Sequence, residues 1–211
     1  MKTKPEQILF ILSKTYPDAK CALNFKSEWE LLVATILSAQ CTDDRVNQVT
    51  KELFSTFPTI KQYQEVDLSM LEKIIRSTGF YKQKSKYIKA AANKIIEDFA
   101  GIVPNNMDQL LQIPGVARKT ANVVLSIGFG INQGVVVDTH VRRLSMRLGL
   151  TDFDDPIRIE KDLMSKYLDK DWERISTLLI HHGRKLCKAR NPKCDLCPLQ
   201  NICPSTQVLI N

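Results

Sequence analysis

Cys187, Cys194, Cys197 and Cys203 follow a C-x6-C-x2-C-x5-C pattern at the C-terminal end of the chain. Four thiolates in so short a span can surround one ion or one cluster. Soft sulfur ligands in a four-fold set select zinc or an iron–sulfur cluster over hard cations. Two disulfides are the plainer alternative. Met1 to Phe10 carries two lysines, but no long apolar run or small-residue cleavage site follows that would mark a secreted chain. A reducing, cytoplasmic compartment is therefore expected, and it favours metal over disulfide. The spacing matches neither paired C-x2-C knuckles nor C-x2-C with later histidines. An iron–sulfur cluster ranks first, zinc second and disulfides third. Cys21 and Cys41 lie far from this quartet, and core packing is expected of each.

A second set of reactive groups sits in the middle of the chain. The stretch Leu110 to Leu125 reads LLQIPGVARKTANVVL. Its pattern predicts a short helix ending before Pro114–Gly115 and a second helix starting near Ala117. The first amides of that second helix lack carbonyl partners, so they form a site for a phosphate oxygen that reads no base sequence. An ordinary helix–turn–helix connection is the plain reading. Arg118 and Lys119, together with a formal net charge of +7, shift the balance towards phosphate. Lys119 falls in the first helical turn, where the macrodipole disfavours positive charge, and Arg118 is adjacent. Both effects favour the neutral amine that a nucleophile requires. Asp138, in VVVDTHVRRL, has the signature of a helix N-cap, and a cap position holds a carboxylate rigidly enough for catalysis.

The charges are uneven. Lys82, Lys84, Lys86 and Lys89 cluster in one stretch, and Arg184, Lys185, Lys188, Arg190 and Lys193 crowd the first two of the four cysteines. Such an excess points to a polyanion, most often nucleic acid. The segment between Cys187 and Cys194, KARNPK, holds three cations between two anchored residues, so Lys188, Arg190 and Lys193 are expected to track phosphates. No apolar stretch approaches the ~20 residues of a membrane span. His140, His181 and His182 have no partner at a ligand spacing, so packing or surface exposure is expected of each. Asp43 is expected to cap a helix.

The elements that must position these groups are nearly all helical. Thr3 and Pro5 open an apolar face of Ile8, Leu9 and Leu12. Stripes follow at Trp29–Leu37, Val46–Leu53, Leu68–Ile75 and Tyr87–Phe99, the last ended by Gly101 and Pro104. Val141, Leu144 and Leu148 continue after Asp138, and Ile175, Leu178 and Leu179 lead into the cysteines. Val135–Val137 is the one strand-like run. The fold class is all-α, with about ten short helices.

Taken together, LSAQCTD (37–43), IPGVARKTANVVL (113–125), VDTHVRRL (137–144) and the four-cysteine tail resemble the endonuclease III family of helix-hairpin-helix DNA glycosylases. The resemblance covers essentially the whole chain. It implies a bifunctional enzyme that removes oxidised pyrimidines from DNA and nicks the strand, with a [4Fe–4S] cluster on the four tail cysteines. It implies two helical lobes flanking a cleft. One is a six-helix barrel over 21–132, with the helix-hairpin-helix near 107–126. The other, 1–20 plus 133–211, bears the cluster. Lys119 and Asp138 would face each other across the cleft. Gln40 would fill the space left by a rotated nucleotide, Phe80 would wedge the opposite strand, and Gly115, Ala117 and Arg118 would hold phosphate. The implied partner is double-stranded DNA with an oxidised pyrimidine or abasic site, bound by a monomer in the cytoplasm, at the nucleoid if the source is bacterial.

Two residues depart from the family pattern. Ala117 replaces the second glycine of a usual G-V-G, where a methyl group could crowd a phosphate unless the position has helical dihedrals. Phe80 replaces a frequent leucine. Two rival readings remain. The related mismatch adenine glycosylases usually carry serine where this chain has Lys119. A non-catalytic DNA-binding module with structural zinc would leave Lys119 a surface group and Asp138 a cap.

Overall fold

The computed structural model of the protein describes residues 3–206. Among the described residues, eleven α-helices, several short 3-10 turns and one π-helical segment make up the secondary structure, and no strand occurs. Tertiary contacts divide the chain into two compact units, residues 22–131 and residues 1–21 with 132–211.

The N-terminal helix α1 (Lys4–Thr15) belongs to the discontinuous unit. Its start is fixed by Thr3, whose amide donates to the Glu6 carboxylate at 2.7 Å, with Pro5 in the first turn. The continuous unit holds α2 (Glu28–Leu37), α3 (Asp43–Thr56), α4 (Ile60–Glu65), α5 (Leu68–Ile75), α6 (Tyr81–Phe99), α7 (Met107–Leu110) and α8 (Arg118–Val123). Every residue of α2 from Leu31 to Leu37 is buried, and this helix packs against α3, α6 and α8. A helix apolar on all sides must lie inside, so α2 is the axle of the unit. Ser27 starts it by accepting the Glu30 amide at 3.2 Å. The buried face of α6 carries Lys84, Ile88, Ala91, Ala92 and Ile95. Its end is left-handed at both Ala100 (φ 52°) and Gly101 (φ 79°), and the Gly101 amide returns to the Ile95 carbonyl at 2.9 Å. Tyr63 fills the space between Trp29 and Phe57, with ring centroids 5.2 and 5.6 Å away.

The discontinuous unit is completed by α9 (Thr139–Arg147), α10 (Pro156–Lys166) and α11 (Trp172–Lys185), where α9 and α11 pack on each other and α1 lies on α11. Ile8 and Leu12 meet Val141, Leu144, Leu163, Ile175 and Leu179 in one apolar cluster. Val135–Val137 is not a strand. With no neighbouring strand to pair among the described residues, the run has no regular structure; Val135 joins this cluster, Val137 packs against it, and the Val136 carbonyl accepts from Ser176 Oγ at 2.7 Å. At the start of α3 the cap is Thr42, which accepts the Arg45 amide at 3.4 Å, and Asp43 is instead the first helical residue. No described helix is long and apolar enough to cross a membrane.

Candidate functional site

In the continuous unit, α7 stops at Leu110 and a run of tight turns carries the chain to α8. Gly115 sits at φ 82°, and a Cβ there would lie 2.8 Å from the Tyr87 side chain. The turn therefore requires glycine twice over, for its left-handed backbone and for its approach to α6. Ala117 caps α8 with φ −97° and ψ 169°. These are extended dihedrals, not helical ones, and they lie in the broad region open to any L-residue, so alanine here carries no backbone strain. Arg118 and Lys119 form the first turn of α8, and both are exposed. The helix then widens without a break into a π-helical segment, Val124–Gly128, where Ser126 Oγ donates to the Asn122 carbonyl at 2.7 Å.

Two other turns of the same unit carry Gln40 and Phe80. Both residues are left-handed, with φ 54° and 49°, and both are exposed, Phe80 at 67%. Non-glycine residues rarely hold this conformation, and when they do the surroundings must enforce it. Close to both turns lies Lys84. Its ammonium is enclosed, with the residue 4% exposed, and donates to the Leu37 carbonyl and the Thr78 carbonyl, each at 2.8 Å. Burial lowers the pKa of Lys84, opposed by nearby Cys41. In the sequence Lys84 stands out only as one of a run of lysines. Its spacing to Ile88, Ala91 and Ile95 is the signal of its different role, because it falls on the apolar face of α6.

In the other unit, Asp138 is the N-cap of α9. A single carboxylate oxygen, Oδ1, accepts the amides of His140 and Val141, each at 2.8 Å. The side chain is half-buried.

The tail cysteines line one cavity, together with Leu144, Leu148 and Leu186. All are free thiols, so disulfides are set aside. Among the described residues, no three His, Cys, Asp or Glu side chains converge as a single metal ion requires. Four thiols spaced around an apolar-walled cavity suit a multi-atom iron–sulfur cluster better than zinc. Three of the thiols have further partners, and Cys203 Sγ donates to the Arg147 carbonyl at 3.5 Å. Arg147 Nη1 approaches Cys187 Sγ at 3.4 Å and donates to the Lys188 carbonyl at 2.8 Å, while its Nη2 reaches the Ala189 carbonyl at 3.0 Å. His182 Nε2 lies 3.4 Å from Cys197 Sγ, and Nδ1 lies 2.9 Å from the Tyr16 hydroxyl. Burial pushes His182 down to about 4 and Tyr16 up to about 12, so the imidazole is neutral and the phenol protonated. The two ring nitrogens are thus placed between the Tyr16 hydroxyl and the Cys197 sulfur. His182 is 1% exposed. It is a packed residue, as expected, but one with a cluster-facing role that no ligand spacing could signal. Lys188, Arg190 and Lys193 are exposed on the loop, which is closed by the Lys193 amide bonding the Leu186 carbonyl at 3.0 Å. Cys21 and Cys41 are half-buried, not enclosed in the core.

Residues 33–168 match the HhH-GPD superfamily of base excision DNA repair proteins, and residues 187–203 match the iron–sulfur binding domain of endonuclease III. The chain is 54% identical to endonuclease III of Synechocystis over 98% of its length and 94% of the relative's. This chain belongs to the endonuclease III family. The Bacillus subtilis endonuclease III is 45% identical over 96% of this chain and 94% of that one. A solved structure of a trapped endonuclease III–DNA covalent intermediate superposes with a TM-score of 0.94, at 42% identity and full coverage of both chains. A thermostable thymine-DNA glycosylase shares the fold at 19% identity and a TM-score of 0.87. As a member of this family, the chain is a DNA-binding base excision repair enzyme, a glycosylase with lyase activity. Its tail is an iron–sulfur domain, and the four-thiolate set fits [4Fe–4S].

Proposed function

We propose that the enzyme removes oxidised pyrimidines from double-stranded DNA and then cuts at the abasic sugar through a Schiff base on Lys119. The observation that carries this reading is the placement of Lys119. It is an exposed amine in the first turn of α8, directly after the hairpin turn, in a chain that superposes on a trapped covalent endonuclease III–DNA intermediate.

A nucleotide stacked in a duplex cannot reach a side chain, so it must first rotate out, at a cost of a few kcal/mol that is least for damaged bases. Gln40 and Phe80, exposed on two tight turns, fill the vacated stack and wedge the opposite strand. The exposed turn at Gly115, Ala117 and Arg118 holds a phosphate, and Lys188, Arg190 and Lys193 track the backbone further along. The Lys119 amine attacks C1′ of the sugar as the bond to the base breaks, and the base leaves with the bonding electron pair. The C1′–O4′ bond then opens, its electron pair going to O4′, which takes up the proton shed by the amine; the resulting iminium acidifies C2′, loss of a C2′ proton expels the 3′ phosphate, and water later hydrolyses the imine to return the amine. Asp138, fixed by its cap bonds, stabilises the positive charge that develops on the sugar and accepts the lysine proton. When bound, the cluster supplies a four-point anchor for the tail and breaks no bond. The working species is a monomer in the cytoplasm, acting on chromosomal DNA.

Borohydride reduction of the Schiff base tests the assignment. The wild-type protein should become covalently linked to an abasic duplex, and Lys119→Ala should give no adduct. An adduct formed by Lys119→Ala at the wild-type rate removes Lys119 from this role.

A further inference from the structure

Gln40 and Phe80 stand on different turns of the continuous unit, yet a probe of duplex DNA needs both tips at a set spacing. Lys84 is the group the two turns share. It reaches the Leu37 carbonyl at the end of α2, three residues before Gln40, and the Thr78 carbonyl, two residues before Phe80. The last carbonyls of a helix lack intrahelical donors and carry partial negative charge, so a cation at Leu37 is well matched. The Thr78 carbonyl ends a 3-10 turn, Arg76–Thr78, and Thr78 itself is buried. Beyond each bonded carbonyl the chain turns left-handed, at Gln40 and again at Gly79 and Phe80. Holding a cation inside a protein is unfavourable unless its protons are matched. A leucine on the α6 face would fill the space but could not tie two backbones together.

We propose that Lys84 is a positioning residue that locks the Gln40 and Phe80 turns into one preorganised probe, so that both enter a duplex together. This rests on the reading of Gln40 and Phe80 as the probe. Loss of the tie leaves each turn formed but free to move against the other, which slows base opening more than the chemistry on a base already extruded.

The test uses cluster-loaded Lys84→Met, which keeps length and removes the charge and donors. A duplex with 2-aminopurine beside an oxidised pyrimidine reports opening by fluorescence, and single-turnover excision reports the outcome. Opening and excision should each fall about 10- to 100-fold. Nicking of an abasic site held in an unpaired bulge should change less than about threefold. The Gln40→Ala/Phe80→Ala variant should show a similar loss on the duplex, and adding Lys84→Met to it should cause no further loss. Wild-type opening by Lys84→Met, or fully additive losses, overturns the role of Lys84 while leaving the probe reading intact. Wild-type opening by Gln40→Ala/Phe80→Ala defeats the probe reading itself, and the inference falls with it. Should Lys84→Met not fold, amide hydrogen exchange in the wild-type protein decides. Residues 38–42 and 78–81 should open with one common rate, and rates differing by more than about tenfold overturn the tie.

Discussion

The turns at Gln40 and Phe80 and the loop at residues 188–193 face the same physical demand and meet it differently. In the proposed complex, each presents exposed side chains that must keep their geometry against DNA. The two turns emerge from α2 and α6, whose buried faces give them a dense apolar floor, and one lysine completes the hold through two carbonyls. The cysteine tail has no such floor. Between residues 187 and 206 only Leu199 is buried, and the chain makes short 3-10 turns rather than helices. A segment that buries so little apolar surface cannot offset its own ordering entropy. Metal ligation supplies the missing free energy, as in small metal-bound domains. A hydrogen bond from Arg147 to Cys187 and the contact between His182 and Cys197 then orient the sulfurs. Rigidity from a core tolerates change in the surface it presents, whereas rigidity from four ligands is lost with any one of them.

Removing one ligand breaks the comparison most severely. Cys194→Ala should abolish the visible sulfur-to-iron absorbance and make residues 187–206 sensitive to protease. Hydrogen exchange at residues 38–42 and 78–81 should stay as in the wild type, because a different core holds them. Exchange there rising in step with cluster loss would show that the two regions share one source of rigidity. Next in size is Gly115→Val, which places a branched side chain at φ 82° and 2.8 Å from Tyr87. It should cost about 2–4 kcal/mol, read as a fall in melting temperature, while the cluster absorbance persists. A smaller effect is expected from Lys188→Glu with Arg190→Glu. DNA affinity should fall, and the plot of log affinity against log salt should flatten by about 2–4 in slope, because two cations give way to two anions beside the phosphates. An unchanged slope would detach the tail loop from the phosphates. The smallest concerns the apolar floor itself. The Tyr63 hydroxyl is buried without a hydrogen-bond partner, so Tyr63→Phe should be neutral or stabilising by about 1 kcal/mol in denaturant titration.

The helices, the Asp138 cap and the cysteine set are readable from the chain because local rules govern them. Capping and proline place α1, apolar spacing places the buried stripe of α6, and Asp138 carries the mark of an N-cap in its own segment. The cysteine spacing exposes the cluster site. What the chain does not reveal depends on contacts distant in sequence. The carbonyls that Lys84 bridges are chosen by packing of α2 against α6. His182 lies between Tyr16 and Cys197, residues far apart in the chain. Val135–Val137 has strand propensity but no neighbour to pair with, and burial decides its fate. Asp43 yields the cap to Thr42 by a single residue, within the usual uncertainty of helix ends.

Asp138 binds two amides of α9 through one oxygen, Oδ1, and the other oxygen takes no part in that cap. An asparagine could reproduce both amide contacts with its carbonyl while carrying no negative charge. In the proposed mechanism, scaffold and reactivity thus reside on separate atoms of a single residue. Swapping one oxygen for nitrogen would yield a protein that melts like its parent but has lost its electrostatic help for the sugar cation.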